Sequence, residues 1–355
     1  MTVRLLAALL LLPLLHVRAE IVTERIFGPE VPTGPYKHPA AICALDNGDL
    51  LLVYYGGEGE YALSTAVFLS RLAAGEKRWS APVVVARDPF RSTGNGVCWQ
   101  DPSGRVWLFY VIRFGETWST SRIAAKVSDD RGRTWSDPGL ISLEEGWMVR
   151  GKPIVLASGR WLLPVYFESG NDRERVGPET HSFFLVRDPG DAVWRRSGPI
   201  RSPNGNLQPS PVELSPGHVL AFCRRGGGYG PGERGFIIAA ESHDGGMTWS
   251  PGRETDLPNP NSAVELIRLR SGRLLLVYNP SMNRRTPLTA ALSEDGGKTW
   301  PWKRNLAEGE DSFAYPSAVQ TADGKIHVVY TSDGRKVIRR AIFEEPDLLA
   351  RGAGR

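Results

Sequence analysis

Three cysteines in 355 residues, Cys43, Cys98 and Cys223, are too few and too scattered for a disulfide framework. They fall in predicted inner strands and read as buried, small apolar residues. Also missing are the paired Cys or His spacings of a zinc site, the glycine loop that cradles phosphate, and the Gly-x-Ser-x-Gly elbow of a serine hydrolase. No metal and no cofactor are therefore expected. Net charge is scarce as well. The formal +4 falls to about +2 without Arg4 and Arg18, which leave with the leader described below, and this balance argues against a nucleic-acid partner. Long apolar runs are lacking except at residues 5–15, a stretch shorter than the roughly 20 residues of a membrane span, so no stable membrane insertion is expected. With Arg4 ahead of it and Val17-Arg18-Ala19 behind it, the run reads as the core of a signal peptide over 1–19, and the mature chain is expected to be exported, to a periplasm or beyond.

What is present is repetition. Ser128-Asp129-Asp130-Arg131-Gly132-Arg133-Thr134-Trp135 recurs at 242–249 and 293–300, with Ser, Asp, Gly, Thr and Trp at positions one, three, five, seven and eight. The phrase reads as a turn between strands: the Asp accepts bonds from backbone N–H groups, the Gly supplies a positive φ, and the Trp covers the turn. A motif that closes its own turn keeps no free groups for a substrate. Tight glycine turns at Gly48, Gly104, Gly159, Gly217, Gly272 and Gly324, spaced 56, 55, 58, 55 and 52 residues apart, count six units, and strand-like runs follow them. Units of this length without helical periodicity predict an all-β, six-bladed β-propeller of four-stranded blades, with the Asp phrase joining the third strand to the fourth. The sixth unit ends too early for a fourth strand. Residues 20–27 alternate like a strand and are expected to supply it, closing one domain over 20–345 and leaving a tail at 346–355.

In such a ring the innermost strands line the channel, and a site on the axis is built from their first residues and from the ends of the second strands. The first set is Lys37-His38-Pro39, Asn95-Gly96, Lys152-Pro153, Gln208-Pro209, Asn261-Ser262 and Tyr315-Pro316. The second set includes Glu58, Glu60, Arg113, Glu168, Arg224, Arg225, Asn279, Arg284 and Arg285. Converging arginines make a bidentate receptor for a carboxylate, and the phenol, imidazole and carboxylates beside them offer proton transfer.

The Asp boxes, the six units and the closing 313–317 stretch resemble the sialidase (neuraminidase) superfamily, over essentially the whole mature chain. The resemblance implies that three arginines hold the sugar carboxylate, a Tyr made nucleophilic by a Glu attacks, and an Asp acts as acid and base. Tyr315 matches the nucleophile, Arg224 the second arginine, and Arg285 the third, with Arg284 a substitute. Two positions depart from the pattern. The first arginine is replaced by Lys37-His38-Pro39, and the Glu partner of the tyrosine by Gln208, which orients a phenol but takes no proton from it. Glu168 and Glu265 are candidate bases, and Glu58 or Glu60 stands where the acid/base Asp is found. The resulting expectation is a glycosidase removing a terminal acidic sugar from glycans, with Lys37, Lys152, Gln208 and Asn261 among the substrate-binding groups. Two alternatives remain open: a uronide lyase with His38 or Lys152 as base and Tyr315 as acid, and a propeller that binds acidic glycans without turnover.

Overall fold

The computed structural model describes residues 21–349 apart from 172, 174 and 231, so the predicted leader lies outside the described residues. Six antiparallel sheets stand around an axis, each a meander running outward from an inner strand, as the repeat count predicts. Blade one comprises Tyr36–Ala44, Leu50–Gly57, Ala66–Leu72 and Val83–Ala86. Blades two, four and five start from Thr93–Gln100, Asn206–Ser215 and Glu265–Arg268. In blade three the inner strand is split into Trp147–Val149 and Ile154–Val155, both paired with Trp161–Phe167. Blade six takes Ala314–Gln320, Ile326–Ser332 and Val337–Phe343 from the far end of the chain and its outer strand, Val22–Phe27, from the near end. Val22 pairs with Ile342 and Phe27 with Ile338, which closes the ring through backbone hydrogen bonds. No helix among the described residues is long and apolar enough to cross a membrane.

The Asp phrase does locally what its composition dictates. In the last box the Asp295 carboxylate accepts Lys298 N–H at 3.0 Å, Thr299 N–H at 2.9 Å and the Thr299 hydroxyl at 2.6 Å, while Ser293 Oγ takes the Gly297 N–H at 2.9 Å. Asp130 and Asp244 are held the same way. The fifth-position glycines need their missing Cβ twice over. Gly246 has φ +84°, and a Cβ there would lie 2.7 Å from Leu162 of the preceding blade. The tryptophans point the same way: Trp249 stacks on Phe184 of blade three, with ring centroids 4.6 Å apart. Each box therefore closes its own turn and also seals the seam to its neighbour.

Cys43 and Cys98 lie in inner strands, Cys223 in a second strand, and all three are buried free thiols. The boundary drawn at residue 345 falls at a short helix, Glu345–Leu349, whose Leu348 is buried against blades five and six and whose Glu345 receives Arg273 at 2.8 Å.

Replacing Asp295 with Ala strands the donors of its turn and should lower Tm by about 2–4 °C with the far-ultraviolet circular dichroism unchanged. The Thr299 hydroxyl and N–H hold this carboxyl down at about 2, against about 3.9 in an unfolded chain. Its contribution is therefore complete above pH 4 and lost as pH falls through about 2, and the wild-type advantage in calorimetry should shrink over that window.

Candidate active site

The inner strands do not run straight into the channel. Their ladders slip between Gly94 and Val97, Leu207 and Ser210, and Ala314 and Ser317, and the residue freed at each slip is non-glycine with positive φ: Asn95 (47°), Gln208 (56°) and Tyr315 (57°). Asn261 (55°) takes the same conformation just before the inner strand of blade five. Left-handed backbone costs a side-chain-bearing residue about 1–3 kcal/mol, and bulges of this kind re-aim a side chain. Here they turn polar groups from several blades toward one mouth of the axis.

Tyr315 is the centre of that mouth. Arg224 Nη1 donates to its phenol oxygen at 2.6 Å, and the guanidinium carbons of Arg224, Arg285 and Arg150 lie 5.7, 5.4 and 5.7 Å from its ring centroid. Burial pushes the phenol up, but the charges of Arg224, Arg285 and Arg335 outweigh burial and leave it below its ordinary value. Arg224 is itself fixed from behind. Its Nε donates to Asn261 Oδ1 at 2.6 Å and its Nη1 to Gln208 Oε1 at 3.3 Å, while Nη2 reaches the hydroxyl of Tyr229. Arg285 donates to the Asn261 carbonyl at 2.9 Å and lies over the Tyr229 ring.

Two carboxyl groups face the same pocket. Glu60 is tied to Arg335 and receives Trp118 Nε1 at 3.4 Å. Glu168 has no such tie among the described residues. Burial raises it to about 7, with Glu60 adding to the rise and Arg224 opposing it. His38 meets the Tyr315 ring edge-on, with centroids 4.2 Å apart, and its Nδ1 lies 2.6 Å from Thr331 Oγ1. Because the Thr331 proton goes to the Ala314 carbonyl, Nδ1 is the donor and Nε2 keeps a lone pair. Burial first, then the surrounding arginines, hold the imidazole neutral, well below its ordinary value.

With this geometry in hand, comparisons give the lineage. Residues 48–328 match the family model described as a BNR repeat-like domain. The chain belongs to the BNR repeat-like domain family. A curated sialidase from Micromonospora viridifaciens is 25% identical over 335 residues, 83% of this chain and 49% of the relative, so the chain spans about half the length of that relative. NanB sialidase from Streptococcus pneumoniae superposes with a TM-score of 0.76 at 15% identity, covering 92% of this chain and 71% of that one. The intramolecular trans-sialidase from Ruminococcus gnavus gives 0.75 at 16% identity over 92% and 98%. The fold of the ring is thus shared with both solved structures.

Several expected site residues of this BNR repeat-like propeller lie elsewhere. Lys37 neighbours His38 in an extended strand, so it points the opposite way, fully buried against the carbonyls of Gly34 and Val31. Lys152 lies deeper along the channel, on Glu265 and Ser317 Oγ. Asn261 is fully buried behind the arginines and orients them without lining the pocket. Glu58 and Arg284 are exposed on their loops and do not line it either. Of three tryptophans whose sequence positions put them near the same side, where one could stack on a sugar face, Trp118 lines the pocket, whereas Trp99 packs on Trp161 and Trp147 on Phe183.

Three residues were not singled out from sequence. Arg335 sits in the loop after the second strand of blade six, as Arg285 does in blade five, while Arg224 stands at the strand end itself in blade four, so reading the sixth second-strand end on into its loop finds it. Tyr229 is the lone aromatic in a glycine-rich loop, a weaker signal. Arg150, two residues before Lys152, donates to Glu265 Oε2 at 3.2 Å and to the Pro316 carbonyl. Arg150, Glu265 and Lys152 therefore form a buried ionic plug beneath Tyr315, tying blades three, five and six. Burial raises the Glu265 carboxyl, but Lys152 and Arg150 outweigh it and hold the group below the usual range, which removes Glu265 from the candidate bases. Glu265→Gln leaves two buried cations unpaired and should cost about 3–5 kcal/mol of unfolding free energy, read from the urea midpoint.

Proposed function

We propose that this propeller is an exo-acting glycosidase that removes a terminal acidic sugar, sialic acid or one like it, with Tyr315 as nucleophile. The observation that carries the reading is the Tyr315 phenol, hydrogen-bonded by Arg224 at 2.6 Å and flanked by Arg285, with Glu168 facing the same pocket. It is supported by the likeness to the sialidase from Micromonospora viridifaciens. Arg175, beside an Arg173 that is paired with Glu116, adds positive charge to the pocket wall, which suits an anionic sugar.

In this mechanism the sugar carboxylate enters between Arg224 and Arg285 and replaces the Tyr229 phenol as the acceptor of the Arg224 fork. Tyr315 first loses its proton to solvent, a loss the neighbouring arginine charges favour; the phenolate attacks the anomeric carbon while the bond to the leaving oxygen breaks, and Glu168 gives that oxygen its proton. Water then attacks the glycosyl–tyrosine and loses its proton to Glu168, and the phenolate returns to Tyr315. Arginine charge stabilises the phenolate but takes no proton, so with Gln208 in that place the phenol proton goes to solvent rather than to a carboxylate partner. Glu60 holds Arg335 beside the phenol. The reading includes export after cleavage near Ala19.

Purified protein should release sugar from a panel of sialosides and uronides, and Tyr315→Phe should lower kcat/KM by roughly a thousandfold or more with Tm unchanged. Because Glu168 must carry its proton, kcat/KM should fall as pH rises through about 7, and Glu168→Gln should abolish that limb. No sugar released across the panel sinks the proposal.

One observation favours a second reading. A neutral His38 with a free Nε2 beside Tyr315, and no carboxylate bonded to the phenol, suits proton abstraction next to a neutralised uronide carboxylate. The same panel separates the two, because elimination leaves a conjugated, ultraviolet-absorbing uronide and hydrolysis does not. Binding of an acidic glycan that survives Tyr315→Phe, with no product of either kind, identifies a binding propeller instead.

A further inference from the structure

Across the ring from the pocket, each blade presents the residue after its glycine turn to the residue one step past the end of its third strand. In blades two, three and five this pair is ionic: Arg105 with Asp129 at 2.7 Å, Arg160 with Asp188 at 2.6 Å, and Arg273 with Glu294 at 3.6 Å. Blade four has the same register, with Val219 opposite Ser242, but the pair is His218 and His243. Their rings stack with centroids 4.3 Å apart, and two imidazoles supply no opposite charge to each other.

A carboxylate completes the set. Glu241 is two residues before His243, so both project from one face of the strand, and its Oε2 lies 2.8 Å from His218 Nε2. Its other oxygen, Oε1, accepts Arg253 at 3.1 Å, which fixes the orientation of the carboxylate and leaves Oε2 turned to the histidines. One ligand atom from each of His218, Glu241 and His243 lies within 4.8 Å of the others. Three ligands at 2.0–2.1 Å around a tetrahedral ion stand about 3.3 Å apart, so a side-chain adjustment of about 1 Å brings them to bonding distance.

We propose that His218, Glu241 and His243 form a binding site for a divalent transition-metal ion, with zinc as the best match. Two imidazoles and one carboxylate are borderline donors of the kind that favours zinc, copper or nickel over calcium and magnesium, which prefer an all-oxygen shell. The three side chains leave the fourth position to water. The ion supplies between the two strands the positive charge that arginine supplies in blades two, three and five, so it acts as a staple of blade four. His218 opens the strand that Arg224 nearly ends, six residues on, which separates this site from the sugar pocket by about 20 Å. The assignment is independent of the reaction proposed above.

The test is equilibrium dialysis and calorimetry of the untagged protein with zinc chloride alone. The wild type should bind one zinc ion saturably, raise its Tm when loaded, and show no such binding of magnesium. His243→Ala, at an exposed position that the fold does not need, should weaken binding roughly tenfold or more, and His218→Ala should do the same. Sugar release by these variants should equal that of the wild type. Absence of saturable zinc binding below about 100 μM, or binding that both variants retain at full strength, overturns the proposal.

Discussion

Everything at the mouth of the ring depends on one charged hydrogen bond, from Arg224 to the phenol of Tyr315. A guanidinium is a fixed, always protonated fork, and because Arg224 and Tyr315 are both buried its field acts on the phenol with less screening than in bulk water. The bond exists because two awkward backbone conformations are held in place: Tyr315 sits in a left-handed bulge of the last inner strand, and Asn261, also left-handed, accepts Arg224 Nε and offers its carbonyl to Arg285. These residues come from blades four, five and six, and only closure of the ring brings them together.

The two rims divide the work. Asp boxes occupy one side, where each Asp is consumed by its own turn and each Trp and Gly by the seam to the preceding blade. The other side has left-handed bulges and glycine-rich loops, where side chains can be aimed. Between them, the Arg150–Glu265–Lys152 plug fills the channel under the tyrosine. The cationic surroundings then sort the titratable groups by charge. A phenol is shifted toward phenolate, an imidazole toward neutrality, and Glu168, without a cation bonded to it, keeps its proton up to about 7. One pocket thus holds a phenol whose ionisation is favoured and a carboxyl whose ionisation is opposed, which is the pairing of environments the proposed reaction needs.

The architecture was legible because it is written repeatedly, in six glycine turns and three Asp boxes whose chemistry is local. The site was legible to the extent that strand ends were: Tyr315, His38, Gln208, Arg224, Glu60 and Glu168 do line one pocket. What misled was alternation along an extended chain. Lys37 is one residue from His38 and faces into the blade, and Lys152 follows a break in its strand that lowers it into the plug. Asn261 has the right place but is spent on arginines. Arg335 lies three residues past the end of its second strand, in the loop rather than on the strand end, and the seating of Tyr229 against Arg224 and Arg285 follows from loop packing that no spacing encodes.

The most direct measurement of the central claim is the ionisation of Tyr315 itself, followed by nuclear magnetic resonance of protein labelled with carbon-13 at the tyrosine Cζ. The account predicts one resonance, absent in Tyr315→Phe, that titrates below the ordinary value of about 10, and that moves above it in Arg224→Ala. A Tyr315 resonance that titrates at or above the ordinary value in the wild type would contradict it.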